Sequence, residues 1–285
     1  MIHMSNGGKM MLSKRALCIQ NMQGHKTIFA CPICAQAVQI EDNGKVVCPS
    51  NHSFDVAKQG YINFMTKPVQ SMYSKALFEA RHNIISSGLY DQLQERLAKL
   101  AVGTHYLDTG CGEGSHLARI VASRPEVTGV GIDIAKEGII AAAKFHTGCI
   151  WCVGDLAKSP YSENSFNTIF NILSPANYDE FKRLLKPGGK VIKVVPQEGY
   201  LKELRQQAFA DSEKERYSNE QTVERFKESF AQVTVERITY TMPLIEELVP
   251  QLIEMTPMGW HIENKTDVAL TEITIDLNIL VGSVE

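Results

Sequence analysis

The sequence predicts an α/β fold: a Rossmann-like, mainly parallel sheet with a small metal-binding section ahead of it. Three observations carry that expectation. From residue 104 onward strand-like and helix-like segments alternate, the pattern of βα units. The stretch HYLDTGCGEGSHLARI, residues 105–120, reads as strand, glycine turn and helix. Residues 31–52 hold Cys31, Cys34, Cys48 and His52 in the spacing C-x2-C-x13-C-x3-H.

The bulk of the chain sets limits. Its 285 residues, 44% hydrophobic and 21% charged, give room for one large domain and a small one. Seven cysteines, an odd number, do not read as a secreted disulfide framework. No apolar run approaches the ~18 residues of a membrane span. A net charge of −3 argues against indiscriminate coating of nucleic acid. The charge is uneven, however: residues 1–85 carry nine Lys/Arg and four Asp/Glu, the remainder 20 and 28. A basic front on an acidic body fits local contact with a polyanion, and it equally fits a merely solvated surface.

Taken in order, residues 1–28 lack a continuous apolar run before a small-residue cleavage site, so no signal peptide is expected. The first acidic residue is Glu41, which leaves a short transit peptide open. A poorly ordered leader is the expectation, and the cytoplasm the default location. Residues 29–65 contain short β-like runs, KVVC and YINF, with Asp42-Asn43-Gly44 as a turn. Residues 66–100 read as a helical connector. Thr66-Lys67-Pro68 opens it, and Leu89, Leu93, Leu97 and Leu100 share one helical face. Residues 101–285 form the α/β domain. It closes on TEITIDLNILV, where Ile273, Ile275, Leu277, Ile279 and Val281 alternate with polar residues, as in a strand with one buried face.

The Cys/His set is a complete tetrahedral donor group for Zn²⁺. A C-x2-C knuckle gives two thiolates, and Cys48 and His52 answer them after one hairpin. With no open position the ion is structural. About 35 residues also cannot bury enough surface to fold without such a staple. The second C-x2-C, Cys149-Ile-Trp-Cys152, lies on a probable strand running into a turn, not at a helix start, so redox chemistry is not expected.

At the glycine turn, Gly110, Gly112 and Gly114 let the backbone approach a ligand, and the helix start offers free N–H groups. Ser115 replaces the third glycine of the dinucleotide fingerprint, which weakens a nicotinamide reading. No Walker lysine follows. Asp133 ends the next strand, where a carboxylate accepts from ribose hydroxyls.

The D-x-G-C-G-E-G turn with its acidic strand end resembles the class I methyltransferases that use S-adenosylmethionine. Val153-Gly154-Asp155-Leu156 and the turn Leu185-Lys186-Pro187-Gly188-Gly189-Lys190 extend that resemblance. It implies a seven-stranded sheet whose last strand inserts antiparallel, with the adenine contacts at Asp155 and Leu156. With a Cys3His section in front, the chain from about Phe29 onward is similar to the 23S ribosomal RNA guanine-N1-methyltransferases of the RlmA type. The similarity runs through His52-x-Phe54-Asp55-x-Ala57-Lys58-x-Gly60-Tyr61-x-Asn63, Ser87-Gly88-x-Tyr90 and Met255-Thr256-Pro257-x-x-Trp260. It implies donor contacts from Tyr90, Gly112 and Glu113, and from Tyr200, which stands where the family has a histidine.

A guanine N1 lies on the Watson–Crick edge and must be unpaired or flipped out to react, and RNA loops offer splayed bases to aromatic faces. Trp260 or Tyr61 is therefore expected to stack on the base, and Lys58, Lys67, Lys75 and Arg81 to hold phosphates. Asn171, in Asn171-Ile-Leu-Ser174-Pro175-Ala-Asn177 on the acceptor side, is the candidate for orienting the base. No general base is evident. The leading expectation is methyl transfer to N1 of a guanine in a 23S RNA hairpin loop, with S-adenosylmethionine as donor and structural zinc. A small-molecule methyltransferase with the zinc section as a lid, and a non-catalytic binding module, are the alternatives. A homodimer is left open.

Overall fold

Eight strands form the main sheet of the computed structural model, which describes residues 12–69, 72–209 and 218–284. The chain enters through α1 (Lys14–Gly24) and a three-stranded antiparallel sheet, β1 (Gln39–Ile40), β2 (Lys45–Val47) and β3 (Ser53–Asp55), followed by β4 (Ile62–Asn63). The helices α2 (Lys75–Ser86) and α3 (Asp91–Leu100) lead into the alternating part. This comprises β5 (His105–Thr109), α4 (Ser115–Ala122), β6 (Thr128–Asp133), α5 (Lys136–Phe145), β7 (Ile150–Val153), β8 (Phe166–Ile172), α6 (Tyr178–Leu184) and β9 (Leu185–Pro196). It ends with α7 (Lys202–Phe209), α8 (Glu220–Ser229), β10 (Gln232–Pro243), α9 (Val249–Glu254) and β11 (Glu272–Ser283).

The strand order is β10-β11-β9-β8-β5-β6-β7-β4. All neighbours from β9 to β4 are parallel, and β11 runs antiparallel between β9 and β10. This is the class I methyltransferase sheet, with one difference. The expected seven strands become eight because β4, from the metal section, pairs with β7: Ile62 lies opposite Cys152 and Asn63 opposite Val153.

The central strands are almost wholly apolar because helices and the metal section cover both faces. Tyr106, Trp151 and Phe170 point to one face, where they meet Leu93, Leu97, Leu117 and Ile139 of the helices. Leu107, Val130, Ile132, Ile150 and Cys152 point to the other. There they pack with Phe29, Val46, Phe54, Ile62 and Phe64 of the metal section and with Cys18, Ile19 and Met22 of α1.

That packing corrects two expectations. Residues 12–28 are not a loose leader: Ser13 caps α1 by accepting from Ala16 N–H, and Met22 is fully buried. Arg15 Nε donates to Val56 O at 3.0 Å, tying the helix to the metal section. Residues 1–11 lie outside the described residues. Nor is the section at 29–65 a separate unit, since it shares its core with the large sheet.

The closing strand also differs from an amphipathic one. Set between β9 and β10, β11 buries Thr274 and Asp276 along with its apolar residues. Asp276 is compensated by a bidentate ion pair with Arg237 at 2.7 and 2.8 Å and by Thr239 at 2.8 Å. Burial alone would raise its carboxyl, but these bonds and the Gly199 N–H leave it below the usual range.

Candidate functional site

The metal cluster forms where two knuckles face each other. Cys31 and Cys34 lie on one, Cys48 and His52 on the other, and their four donor atoms lie within 4.8 Å of one another. Four ligands about 2.0–2.3 Å from one zinc ion at tetrahedral angles stand about 3.4–3.8 Å apart. The observed separations match: 3.5 Å from Cys31 Sγ to His52 Nδ1, 3.4 Å from Cys48 Sγ to the same nitrogen, and 3.6 Å from Cys34 Sγ to Cys48 Sγ. Hydrogen bonding from the Gln36 backbone brings the Cys34 thiol down to about 6, as suits a thiolate ligand. Three thiolates and one imidazole fit a structural zinc ion with no open position. By contrast Cys149 and Cys152 are buried, and burial raises both thiols, Cys149 to about 12; they are inert core residues.

The donor side gathers at the carboxyl ends of β5, β6 and β7, the usual ligand edge of an open α/β sheet. Gly110, Gly112 and Gly114 all have positive φ, so the chain doubles back tightly before α4. Asp133 closes the turn: Oδ2 accepts from Gly112 N at 2.7 Å and Oδ1 from Ala135 N at 2.7 Å. Each carboxylate oxygen keeps a further lone pair for a ribose hydroxyl. The Gly154 N–H donates to Asp133 O at 3.0 Å, which brings Asp155 and Leu156 beside this strand end. Asp155 itself caps a short turn by accepting from Ala157 N at 2.8 Å.

One residue of this motif was not singled out from the sequence. Asp108 is 2% exposed, and its Oδ1 has no hydrogen-bond partner among the described residues. Burial, then the charges of Asp133 and Glu113, push its carboxyl up to about 8. An orphaned buried oxygen is costly and marks where a ligand's donor group would be satisfied. With the glycine turn, it makes the residues present fit a cationic amino-acid-bearing nucleoside such as S-adenosylmethionine.

Glu113 faces inward. Ser115 Oγ donates to its Oε2 at 2.5 Å, and His82 Nδ1 and His146 Nε2 stand 3.6 and 3.9 Å away. Burial would raise this carboxyl, but the nearby imidazoles of His146 and His82 and the hydrogen bond from Ser115 more than offset it and hold it at about 2. The same three residues could be read as a second metal site. Ser115 Oγ, however, lies 3.2 Å from each imidazole nitrogen and already occupies the centre. With its carboxylate so engaged, Glu113 has only its main chain to offer a donor.

Tyr90 and Tyr200, 110 positions apart, meet hydroxyl to hydroxyl at 2.6 Å. Tyr90 is 2% exposed, and burial raises its phenol well above the ordinary value.

Three substrate-side expectations need correction. Tyr61 is 5% exposed and packs in the core, because its strand neighbour β4 joins the main sheet; it cannot stack on a base. Arg81 is not a free phosphate contact: Nη2 donates to Met255 O at 3.1 Å, and the guanidinium lies over Gly112 on the donor side. Asn171 is fully buried. Its Nδ2 lies within 3.0 Å of Thr109 Oγ1, Ser174 Oγ and Pro175 O, so it shapes the loop and cannot meet a base directly. Lys58 is exposed. Trp260 is 47% exposed and faces Tyr73, 41% exposed, with ring centroids 6.2 Å apart. The pairing of Tyr73 with Trp260 joins segments far apart in sequence, and no local pattern points to it.

The chain is similar to known proteins over most of its length. Residues 29–75 match the family model for the RlmA N-terminal zinc ribbon, and residues 100–245 a methyltransferase domain. A Bacillus subtilis (strain 168) protein, provisionally named 23S rRNA (guanine-N(1)-)-methyltransferase YxjB, is 37% identical over 90% of this chain and 97% of its own. The 23S rRNA (guanine(748)-N(1))-methyltransferase of Streptomyces fradiae is 30% identical over 81% of this chain and 85% of its own. Among solved structures, Haemonchus contortus phosphoethanolamine N-methyltransferase 2 with S-adenosyl-L-methionine aligns with a TM-score of 0.41 at 18% identity, over 65% of this chain and 49% of its own.

Proposed function

The chain belongs to the RlmA-type 23S rRNA (guanine-N1)-methyltransferase family, and from that premise we infer that it transfers a methyl group from S-adenosylmethionine to N1 of a guanine in a hairpin loop of 23S ribosomal RNA. The observation that carries this reading is the near full-length relationship to the Bacillus subtilis relative, 97% of whose length is matched. A zinc ribbon packed against the strands whose ends carry the donor turn supports it. The small-molecule alternative is not better supported.

When bound, S-adenosylmethionine supplies an electrophilic methyl group on sulfur. The chain's part is to hold and orient, which can lower such a barrier by ~7–11 kcal/mol. Gly110, Gly112, Glu113 and Gly114 would carry the donor on their main chain, and Asp133 its ribose. Asp155 and Leu156 would flank the adenine. Asp108 would accept from the donor's ammonium, and Tyr90 and Tyr200 would border the site. Cys31, Cys34, Cys48 and His52 would hold zinc, fixing the ribbon against the sheet. On the acceptor side Trp260, with Tyr73, would stack on the flipped guanine, and Lys58 would meet the RNA backbone from the ribbon. No described helix is long and apolar enough to cross a membrane, and we place the enzyme's work on ribosomal RNA in the cytoplasm. A homodimer is a further proposal, checked by light scattering.

Primer extension on naked 23S transcript tests the function. A methyl at N1 blocks Watson–Crick pairing, so a donor-dependent stop one nucleotide before a loop guanine is expected. Absence of the stop, with turnover of a small acceptor instead, would overturn the assignment.

A further inference from the structure

Lys193 is a buried cation that the reaction as described leaves without a role. It projects from β9 opposite Asn171 of β8 in the parallel register and is 4% exposed. Its Nζ donates to Asn171 Oδ1 at 2.5 Å and to Ser174 O at 3.0 Å. Its strand neighbours Ile192, Val194 and Val195 are buried and apolar. A methionine would serve the core there at lower cost, since a buried charge without a counterion is expensive.

No ion pair joins Lys193 to any described residue. The ionisable groups on flanking elements are committed or placed elsewhere. β8 carries none. On β5 the carboxylate is Asp108, on the donor side. On β11 Asp276 is held by Arg237, and Glu272 is exposed at the strand's start. On α6 Glu180 pairs with Arg183, while Tyr178 is buried among aromatic rings and Asp179 is exposed. Burial brings the ammonium down to about 8, which still leaves it charged at neutral pH.

The position is informative. An ideal Cβ on Gly110 would lie 2.7 Å from Ser174 Oγ, so the loop at 171–177 abuts the donor turn. Lys193 stands directly behind that loop, at the carboxyl ends of the central strands where ligands bind.

Building on the reading of the chain as a guanine-N1-methyltransferase, we propose that Lys193 is the positioning residue of the acceptor side: acting through Asn171 and the Ser174 carbonyl, it fixes the acceptor loop and presents a positive charge that favours the N1-deprotonated guanine. In the transfer, guanine N1 gives up its proton to solvent water. The freed electron pair closes the N1–methyl bond as the methyl carbon leaves sulfur, which keeps the other pair. Negative charge spreads over the guanine edge before transfer, and a desolvated cation stabilises it more strongly than one in water.

The test is the pH dependence of kcat for K193M, K193R and wild-type enzyme on a 23S hairpin transcript. Methionine keeps the length and removes the charge. K193M should still bind S-adenosylmethionine. The acid limb of its kcat profile should move up by about one pH unit, about tenfold in rate on that limb. K193R, which keeps the charge, should lie nearer wild type. A hairpin with 6-thioguanosine at the target, whose N1–H is more acidic, should restore K193M more than it speeds wild type. A K193M profile equal to wild type, or a loss in K193M that the analogue does not relieve, would overturn the proposal. If K193M does not fold, K193Q takes its place: an acid limb displaced as predicted for K193M supports the charge role, and a limb at the wild-type position refutes it. A wild-type enzyme inactive on the hairpin would refute the guanine-N1 reading itself, whereas an active one with unaffected variants refutes only the lysine.

Discussion

Replacing Gly114 by alanine should unsettle the fold, whereas the same change two residues earlier should mainly unsettle the ligand. Gly114 sits at φ +79°, ψ 0° at the start of α4, where an L-residue pays roughly 1–2 kcal/mol. Its Cβ would lie 2.8 Å from Cζ3 and 2.9 Å from Cζ2 of Trp151, and closer still to Cη2. That ring is 1% exposed, and its Nε1 donates to His146 O at 2.6 Å, so it cannot swing aside. Overpacking of this kind adds about 1–3 kcal/mol. The total of about 2–5 kcal/mol is a large part of a typical stability of about 5–15 kcal/mol, and it should lower the melting temperature by about 5–15 °C. At Gly112, with φ +55°, the nearest atoms are Arg81 Nη1 at 3.3 Å and Phe78 Cε1 at 3.4 Å, the ends of side chains that can shift. Only the backbone cost of roughly 1–2 kcal/mol remains, but the new methyl stands over the donor turn. Differential scanning fluorimetry and calorimetric titration with S-adenosylmethionine separate the two effects. Gly114→Ala melting within about a degree of wild type would show that the left-handed turn or the fixed Trp151 ring is wrong. Gly112→Ala with full donor affinity would remove this turn from the donor site.

Three further outcomes follow from the same geometry. Asp108→Asn should stabilise the protein and weaken the donor. With its folded value raised to about 8 from an ordinary 3.8, Asp108 lets stability fall as pH rises from about 4 to about 8. The amide should remove that slope, gaining about 1–3 kcal/mol at pH 8; urea unfolding that keeps the slope in the variant would contradict this. Asp133→Ala should cost about 1–3 kcal/mol of donor binding, with some loosening of the turn because Gly112 and Ala135 lose their acceptor; unchanged affinity in a folded variant would remove this strand end from the ribose site. Cys48→Ser should release zinc and lower the unfolding temperature in one cooperative transition, since the ribbon and the sheet share a core. Two separated transitions in calorimetry would show that they fold apart.

Local chemistry was legible in the sequence, and long-range placement was not. The zinc knuckles, the glycine turn and the alternation from residue 104 onward are written in short spacings that dictate their own geometry. A closing strand was visible in Ile273, Ile275 and Leu277, and its antiparallel insertion only through the methyltransferase resemblance; the burial of Asp276 was not, because it depends on Arg237 from the neighbouring strand. Tyr61 looked available because nothing nearby says that β4, two residues long, joins the main sheet. Arg81 looked like a surface cation until α2 was seen lying over Gly112. Helix α1 escaped notice because only Cys18, Ile19 and Met22 of its eleven residues are buried, too narrow a stripe to stand out. Lys193 and Asn171 meet only through strand register, and Asp108 is notable for a partner it lacks.

Methyl transfer to guanine N1 in 23S RNA leaves a product that can be counted. Purified protein incubated with naked 23S transcript and S-adenosylmethionine, followed by nuclease digestion and mass spectrometry of the nucleosides, tests it most directly. The prediction is 1-methylguanosine approaching one per transcript, confined to a hairpin-loop fragment and, at limiting S-adenosylmethionine, formed more slowly by Asp133→Ala. Donor consumption with no 1-methylguanosine, or the methyl on a different nucleoside, would contradict it.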